Sequence, residues 1–144
     1  MGASAWTIYA SARKKIGEGA IVLSTDAFRL ALYGDAATSD ITGDRSVQSS
    51  ISDEVTQAGG YLTGGTPLSA PTWTRSAETI TFDASDWEVS GSIANIRFAL
   101  VVFSVGPTSG HTLCYAALSN AQFDVSAADT LILRFASTGI FILV

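Results

Sequence analysis

Charge is what this sequence has least of. Only 15% of its 144 residues are Asp, Glu, Lys or Arg, against about 25% in an ordinary soluble domain. Hydrophobic residues make up 47%. Charge is too sparse to cover a free surface, so part of that surface is expected to lie against other chains. The rival reading is that Ser and Thr solvate it instead. Positive charge is the scarcer sign: eight Lys and Arg stand against 13 Asp and Glu, for a net charge of −5. That excludes a sequence-independent grip on nucleic acid, which needs clustered basic residues. The single cysteine, Cys114, excludes an intrachain disulfide. It stands in the apolar run Leu113-Cys114-Tyr115-Ala116 and reads as a buried small hydrophobe. The single histidine, His111, leaves little from which to build a Ser-His-Asp triad or a histidine-rich metal cluster. It follows Gly110 and reads as a residue at a hairpin rim. No apolar run approaches the roughly 18–20 residues that span a bilayer, so no membrane contact is expected. Met1 to Ala12 lacks a basic start followed by an apolar block, so no signal peptide is expected.

What is present is strand chemistry. Ala27 to Tyr33 alternates Phe28, Leu30 and Leu32 against Ala27, Arg29 and Ala31. Glu78 to Asp83 alternates with Ile80 and Phe82 inward. Thr130 to Phe135 puts Leu131, Leu133 and Phe135 on one face. These period-two patterns predict half-buried strands. Ile96 to Val105 and Ile140 to Val144 are apolar on both faces, and predict strands buried on both sides or at an interface. His111 to Leu118 and Ala20 to Ser24 are further expected strands. Glycines punctuate the chain at Gly17, Gly59-Gly60, Gly64-Gly65, Gly91, Gly106 and Gly110, and the stretch from Gly106 to Gly110 has hairpin spacing. The fold class is therefore all-β: an antiparallel β-sandwich or jelly-roll-like barrel.

One short N-terminal helix is expected, with Ser4 as its cap, Gly17 as its end, and Trp6, Tyr9, Ala10 and Ile16 on one face. A helical turn is expected near Ser46 to Ile51. Residues 38–65 read as a long connecting excursion, too interspersed with Ile41, Val47, Ile51, Val55 and Tyr61 to be a disordered linker. Residues 1–144 read as a single domain, with residues 1–17 as an N-terminal docking segment.

Few residues invite chemistry. Asp86 and Glu88 flank Trp87 like a carboxylate pair around a sugar platform, but period-two spacing makes them a solvated strand edge. Asp35, Asp40 and Asp44 do not match the calcium-loop pattern. Gly59 to Gly65 has glycines but no Lys-Ser/Thr after a strand, so it cradles no phosphate. No catalytic, cofactor-binding or metal-ligating residue is expected. Arg13-Lys14-Lys15 is the one sharp charge feature and holds every lysine in the chain. In an acidic protein it can dock on an acidic partner, or simply solvate a helix end. With Trp6 and Tyr9 it forms the candidate contact segment.

Several segments taken in order carry a resemblance: Trp6-Thr7-Ile8-Tyr9-Ala10-Ser11-Ala12, Lys15-Ile16-Gly17, Asp26 to Leu32, Asp53-Glu54-Val55, Gly60 to Gly65, Trp73-Thr74-Arg75, Ile80-Thr81-Phe82-Asp83, and Ala136 to Phe141. This order resembles small structural proteins of tailed bacteriophages, often encoded beside the capsid genes. The resemblance implies a virion protein, foremost a head decoration or cement protein. Such a protein is made in the host cytoplasm, binds the major capsid protein on the outer surface of the head, and self-associates as a homotrimer. It implies no catalytic residue and no cofactor. A tail or fibre component is the first alternative. A carbohydrate-binding module using the aromatics is the second.

Overall fold

The computed structural model describes residues 4–104 and 110–143. Twelve strands are formed among the described residues: β1 (Thr7–Ile8), β2 (Phe28–Tyr33), β3 (Thr66–Pro67), β4 (Thr72–Ser76), β5 (Thr79–Asp83), β6 (Trp87–Ser90), β7 (Ile93–Ile96), β8 (Phe98–Phe103), β9 (Thr112–Ala117), β10 (Phe123–Val125), β11 (Thr130–Leu133) and β12 (Phe141–Leu143). Two short helices accompany them, α1 (Ala10–Gly17) and α2 (Thr38–Thr42). Every strand pairing is antiparallel. A five-stranded sheet has the order β1-β9-β8-β2-β3, and β12-β5-β4, β6-β11 and β7-β10 form smaller sheets. The molecule is thus all-β and sandwich-like. No closed barrel forms among the described residues, so the jelly-roll-like barrel is set aside.

The layers meet through aromatic rings. Phe28 on β2 packs edge-on against Phe82 on β5 at 5.3 Å between centroids, and Phe82 packs against Phe141 on β12 at 5.2 Å. Strand registry sorts the five-stranded sheet into rows. Ile8, Cys114, Val101 and Leu30 form one row, and Thr7, Tyr115, Leu100 and Ala31 form its neighbour on the opposite face. Tyr9 stacks on Tyr115 at 5.1 Å, and its hydroxyl donates to the Ile41 carbonyl at 2.7 Å. That contact brings α2 over the face that the sandwich leaves open. All six residues of β8 are buried within the chain itself. An all-apolar strand fits a sheet covered on both faces. For β8 the two-sided pattern therefore marks core.

Several expectations are corrected. Ile96 to Val105 is not one strand. Ile96 ends β7, Arg97 belongs to neither strand, and β8 begins at Phe98. Within β7, Asn95 has a φ of 65°, a left-handed value that Asn tolerates better than most residues. β7 then pairs with β10 while β8 enters the five-stranded sheet. Arg97 sits at the crossing and donates from Nη1 to Asp35 at 2.9 Å. Ala20 to Ser24 is a turn segment with Ile21 and Leu23 buried, not a strand. Its alternating apolar residues bury without a partner strand because Val22 and its neighbours turn back to Asp26, which accepts from the Val22 N–H at 2.6 Å. Ser4 does not cap the helix. It lies beside β9, donating its N–H to the Ala117 carbonyl at 2.7 Å, and residues 7–8 extend that edge. The N-terminus of α1 instead receives the Asp44 carboxylate, which accepts from the Ser11 N–H at 3.3 Å and the Ser11 hydroxyl at 2.9 Å. Among the described residues there are two short α-helices, not one, since α2 lies in the excursion. The turn expected near Ser46 to Ile51 is a 3-10 turn, Gln48–Ser50. Residues 105–109, and with them most of the expected hairpin from Gly106 to Gly110 and the expected strand residue Val105, lie outside the described residues. So does Val144.

His111 stands at the loop end of the β8–β9 hairpin, where its carbonyl accepts from the Phe103 N–H at 2.8 Å, and its side chain is buried, 7% exposed. Its Nδ1 has no hydrogen-bond partner among the described residues. Burial, opposed by a Thr112 backbone hydrogen bond and assisted by the Lys15 charge, holds its pKa below the usual 6.5. The unfolded chain therefore binds a proton here that the folded chain resists. Stability is complete above about pH 6.5 and falls as the pH drops from there towards the folded-state pKa. Melting temperature measured from pH 8 to pH 5 is expected to fall over the acid part of that range. His111→Gln is expected to flatten the fall, and an unchanged profile would remove His111 as its source.

Candidate docking site

The N-terminal segment and the C-terminal segment bound one open groove of about 750 Å³. Ser4 to Ile8 form one wall, and Ala136 with Thr138 to Ile142 form the other. Arg13 from α1 and Arg134 from the end of β11 complete the lining, which contains no acidic residue. Ile142 is 46% exposed in it. Trp6 is half-buried and leans on Phe135 at 5.9 Å.

The five residues of the candidate contact segment divide. Tyr9 is 3% exposed and belongs to the core. Desolvation holds its phenol well above the usual range, with the Tyr115 phenol adding. Trp6 and Arg13 line the groove. Lys14 is exposed and pairs with Glu18 at 3.6 Å, an exposed i,i+4 contact of little worth to stability. Lys15 is half-buried in the last turn of α1, where cations suit the helix dipole. Arg134 and Ile142 were invisible to a local reading. They lie more than 120 residues along the chain from Arg13 and Trp6, and only the fold brings them together. Arg134 has one exposed acidic contact, Nε to Asp86 at 3.8 Å.

The remaining candidates are structural. Trp87 is 3% exposed and donates its indole N–H to the Thr66 carbonyl at 3.3 Å, so it presents no face to a sugar. Asp86 and Glu88 are exposed. Asp40 accepts from the Ser52 N–H and hydroxyl, both at 3.0 Å, and these bonds, with Arg45 beside them, hold it below the usual carboxylate range. Asp35, Asp40 and Asp44 each serve a different backbone or side-chain partner, and among the described residues no three His, Cys, Asp or Glu side chains gather to hold a metal ion. Cys114 is fully buried, and burial pushes its thiol far above the usual range, so it stays neutral. A second hollow of about 370 Å³ lies beside Tyr33 and Glu54. There Glu54 accepts from the Tyr61 hydroxyl at 2.8 Å and the Gly64 N–H at 2.5 Å, which closes the glycine segment 60–65 onto β2 through the Leu32 N–H to Tyr61 hydroxyl bond of 3.0 Å. Desolvation, partly offset by Gln48, pushes the Tyr33 phenol up to about 12. No described helix is long and apolar enough to cross a membrane. No family model, curated protein or solved structure matches this chain.

Proposed function

We propose that this chain is a structural protein of a bacteriophage virion, a non-enzymatic capsid decoration protein. It binds the major capsid protein on the outer surface of the head, self-associates as a homotrimer, and meets the shell with its N-terminal corner. The observation that carries the reading is the basic character of the N-terminal corner. Arg13, Lys14 and Lys15 follow one another on α1, and Arg13 shares the groove lining with Arg134. Half of the eight cations of a protein with net charge −5 thus lie on these two segments, with Glu18 beside Lys14 and Asp86 beside Arg134. A basic corner on an acidic body steers association and fixes its orientation. The order of segments that resembles phage structural proteins supports the virion assignment. The low overall charge supports a life spent among other subunits, where modest contacts repeated over a shell stabilise it by avidity.

Deleting the N-terminal segment would also remove β1 and Tyr9 from the core, so charge reversal is the cleaner test. Arg13→Glu/Lys14→Glu/Lys15→Glu is expected to weaken binding to purified undecorated heads by about tenfold or more at low salt, and to flatten the loss of binding that added salt causes in the native chain. Light scattering is expected to show a trimer. A monomer with no affinity for heads would overturn the reading, and immunogold label confined to tails would replace it with a tail component.

A further inference from the structure

We propose that the groove between β1 and β12 receives an extended strand from a partner polypeptide, one that carries carboxylate side chains among apolar ones. The inference deepens the reading of the N-terminal corner as a docking surface and does not depend on the partner being a capsid subunit.

Two unpaired sheet edges face this one groove. β1 is the last strand of the five-stranded sheet and β12 the last strand of the three-stranded sheet. Among the described residues nothing pairs with the outer side of either. The backbone of β1 is turned for the purpose. Tyr9 donates its N–H to the Leu113 carbonyl at 3.1 Å, in the same register that pairs Thr7 with Tyr115. Alternation in an antiparallel ladder then points the N–H and C=O of Ile8 away from β9 and out of the sheet. Such an edge is a template for strand addition, in which backbone hydrogen bonds supply affinity and alternate side chains supply specificity.

The walls say what those side chains should be. Trp6, Ile8 and Ile142 offer apolar contact, and Ile142 is left 46% exposed. Arg13 and Arg134 are the only charged residues in the lining, and both are positive. Most charged residues of the chain are acidic, 13 of 21. An all-basic pair there is complementary to a carboxylate and repels a basic strand. The groove volume of about 750 Å³ falls within the range of formed ligand sites, roughly 300–1,000 Å³.

The test uses the full chain and a yeast-displayed library of random linear peptides. Selection is expected to enrich peptides that alternate apolar residues with Asp or Glu. A selected peptide is expected to slow amide exchange at Ile8 and to bind Arg13→Glu/Arg134→Glu at least about tenfold more weakly. Selection repeated on that variant is expected to turn to Lys- and Arg-bearing peptides, a reversal that a merely unfolded variant cannot give. Ile8→Pro removes an outward N–H and no bond to β9, and is expected to abolish peptide binding. Failure to enrich peptides, or selected peptides that bind the reversed variant equally well, would overturn the inference. So would self-association that closes the groove and is lost on charge reversal, since the occupant would then be a second copy. Binding to undecorated heads is scored separately. Peptides that bind where heads do not remove the capsid assignment alone, and heads that bind where peptides do not remove the strand-addition mode alone.

Discussion

Leu100→Ala is expected to lower the stability of the chain by about 2–5 kcal/mol, read as a fall in the urea midpoint at unchanged slope. Leu100 lies in β8, the middle strand of the five-stranded sheet, and is 0% exposed. It stands in a row with Ala31 and Tyr115, on the face that Tyr9 covers. Truncation would remove apolar contact and leave a cavity between parts of the chain that are distant in sequence and tied to a rigid sheet. Such a site collapses poorly, which places the cost towards the upper end. A loss of that size is a third or more of the typical total for a small domain, about 5–15 kcal/mol. Val22→Ala, at a residue 42% exposed, is the control and is expected to change stability by less than about 0.5 kcal/mol. The experiment also bears on assembly. Were this face of β8 covered by a second subunit, Leu100→Ala would shift the oligomer equilibrium and leave the monomer's midpoint nearly unmoved.

Gly91→Ala is expected to cost about 3 kcal/mol or more, measured by thermal unfolding. Two costs combine there. Gly91 has φ of 110°, a region that side chains rarely adopt. A Cβ at Gly91 would also lie 2.7 Å from the Gly59 Cα, which is backbone and has little room to move. The approach is reciprocal: a Cβ at Gly59 would lie within 3.0 Å of the Gly91 Cα and clash with the Ser90 carbonyl. The Gly60 N–H donates to that same carbonyl at 2.7 Å. Together these glycines fasten the loop before Tyr61 to the turn between β6 and β7. Gly19→Ala separates the two costs. Its φ is 76°, but nothing lies within 4 Å of the added Cβ. It is expected to cost only the conformational part, about 1 kcal/mol. Equal losses at the two sites would dismiss the backbone contact.

Local pattern carried the strands that face water on one side. β11 declares itself by period two because one face is more covered than the other. β2 alternates in the same way and reads as half-buried, but it is covered on both faces because it lies inside the five-stranded sheet. Local pattern carried less where neighbours in space supply the partner. β1 has only two residues, and its place as a sheet edge depends on β9, more than a hundred residues away. The Ser4 cap failed for a related reason. Ser4 has a suitable side chain, but Asp44 reaches the helix from another loop and Ser4 is held along β9. The excursion from 38 to 65 reads as a connection, yet its Val55 N–H bonds the Leu32 carbonyl and Ile41 is bonded by Tyr9, so it covers and edges the main sheet. The candidate site was half legible. Arg13, Lys14 and Lys15 stand out as a basic run. Tyr9, grouped with them by proximity, turns inward because it alternates with Ile8 on the edge strand.

The sequence by itself determined an antiparallel β domain, a buried cysteine and a basic N-terminal segment, because alternation, apolar runs and charge runs are properties of neighbouring residues. Only the tertiary structure decided that β8 is buried on both faces, that the His111 side chain at the end of its hairpin is buried, and that Arg134 and Ile142 join Trp6 and Arg13 around one groove. These are matters of which surfaces meet. Sheet pairing and layer packing join residues far apart in the chain, and no local pattern encodes where such residues will touch.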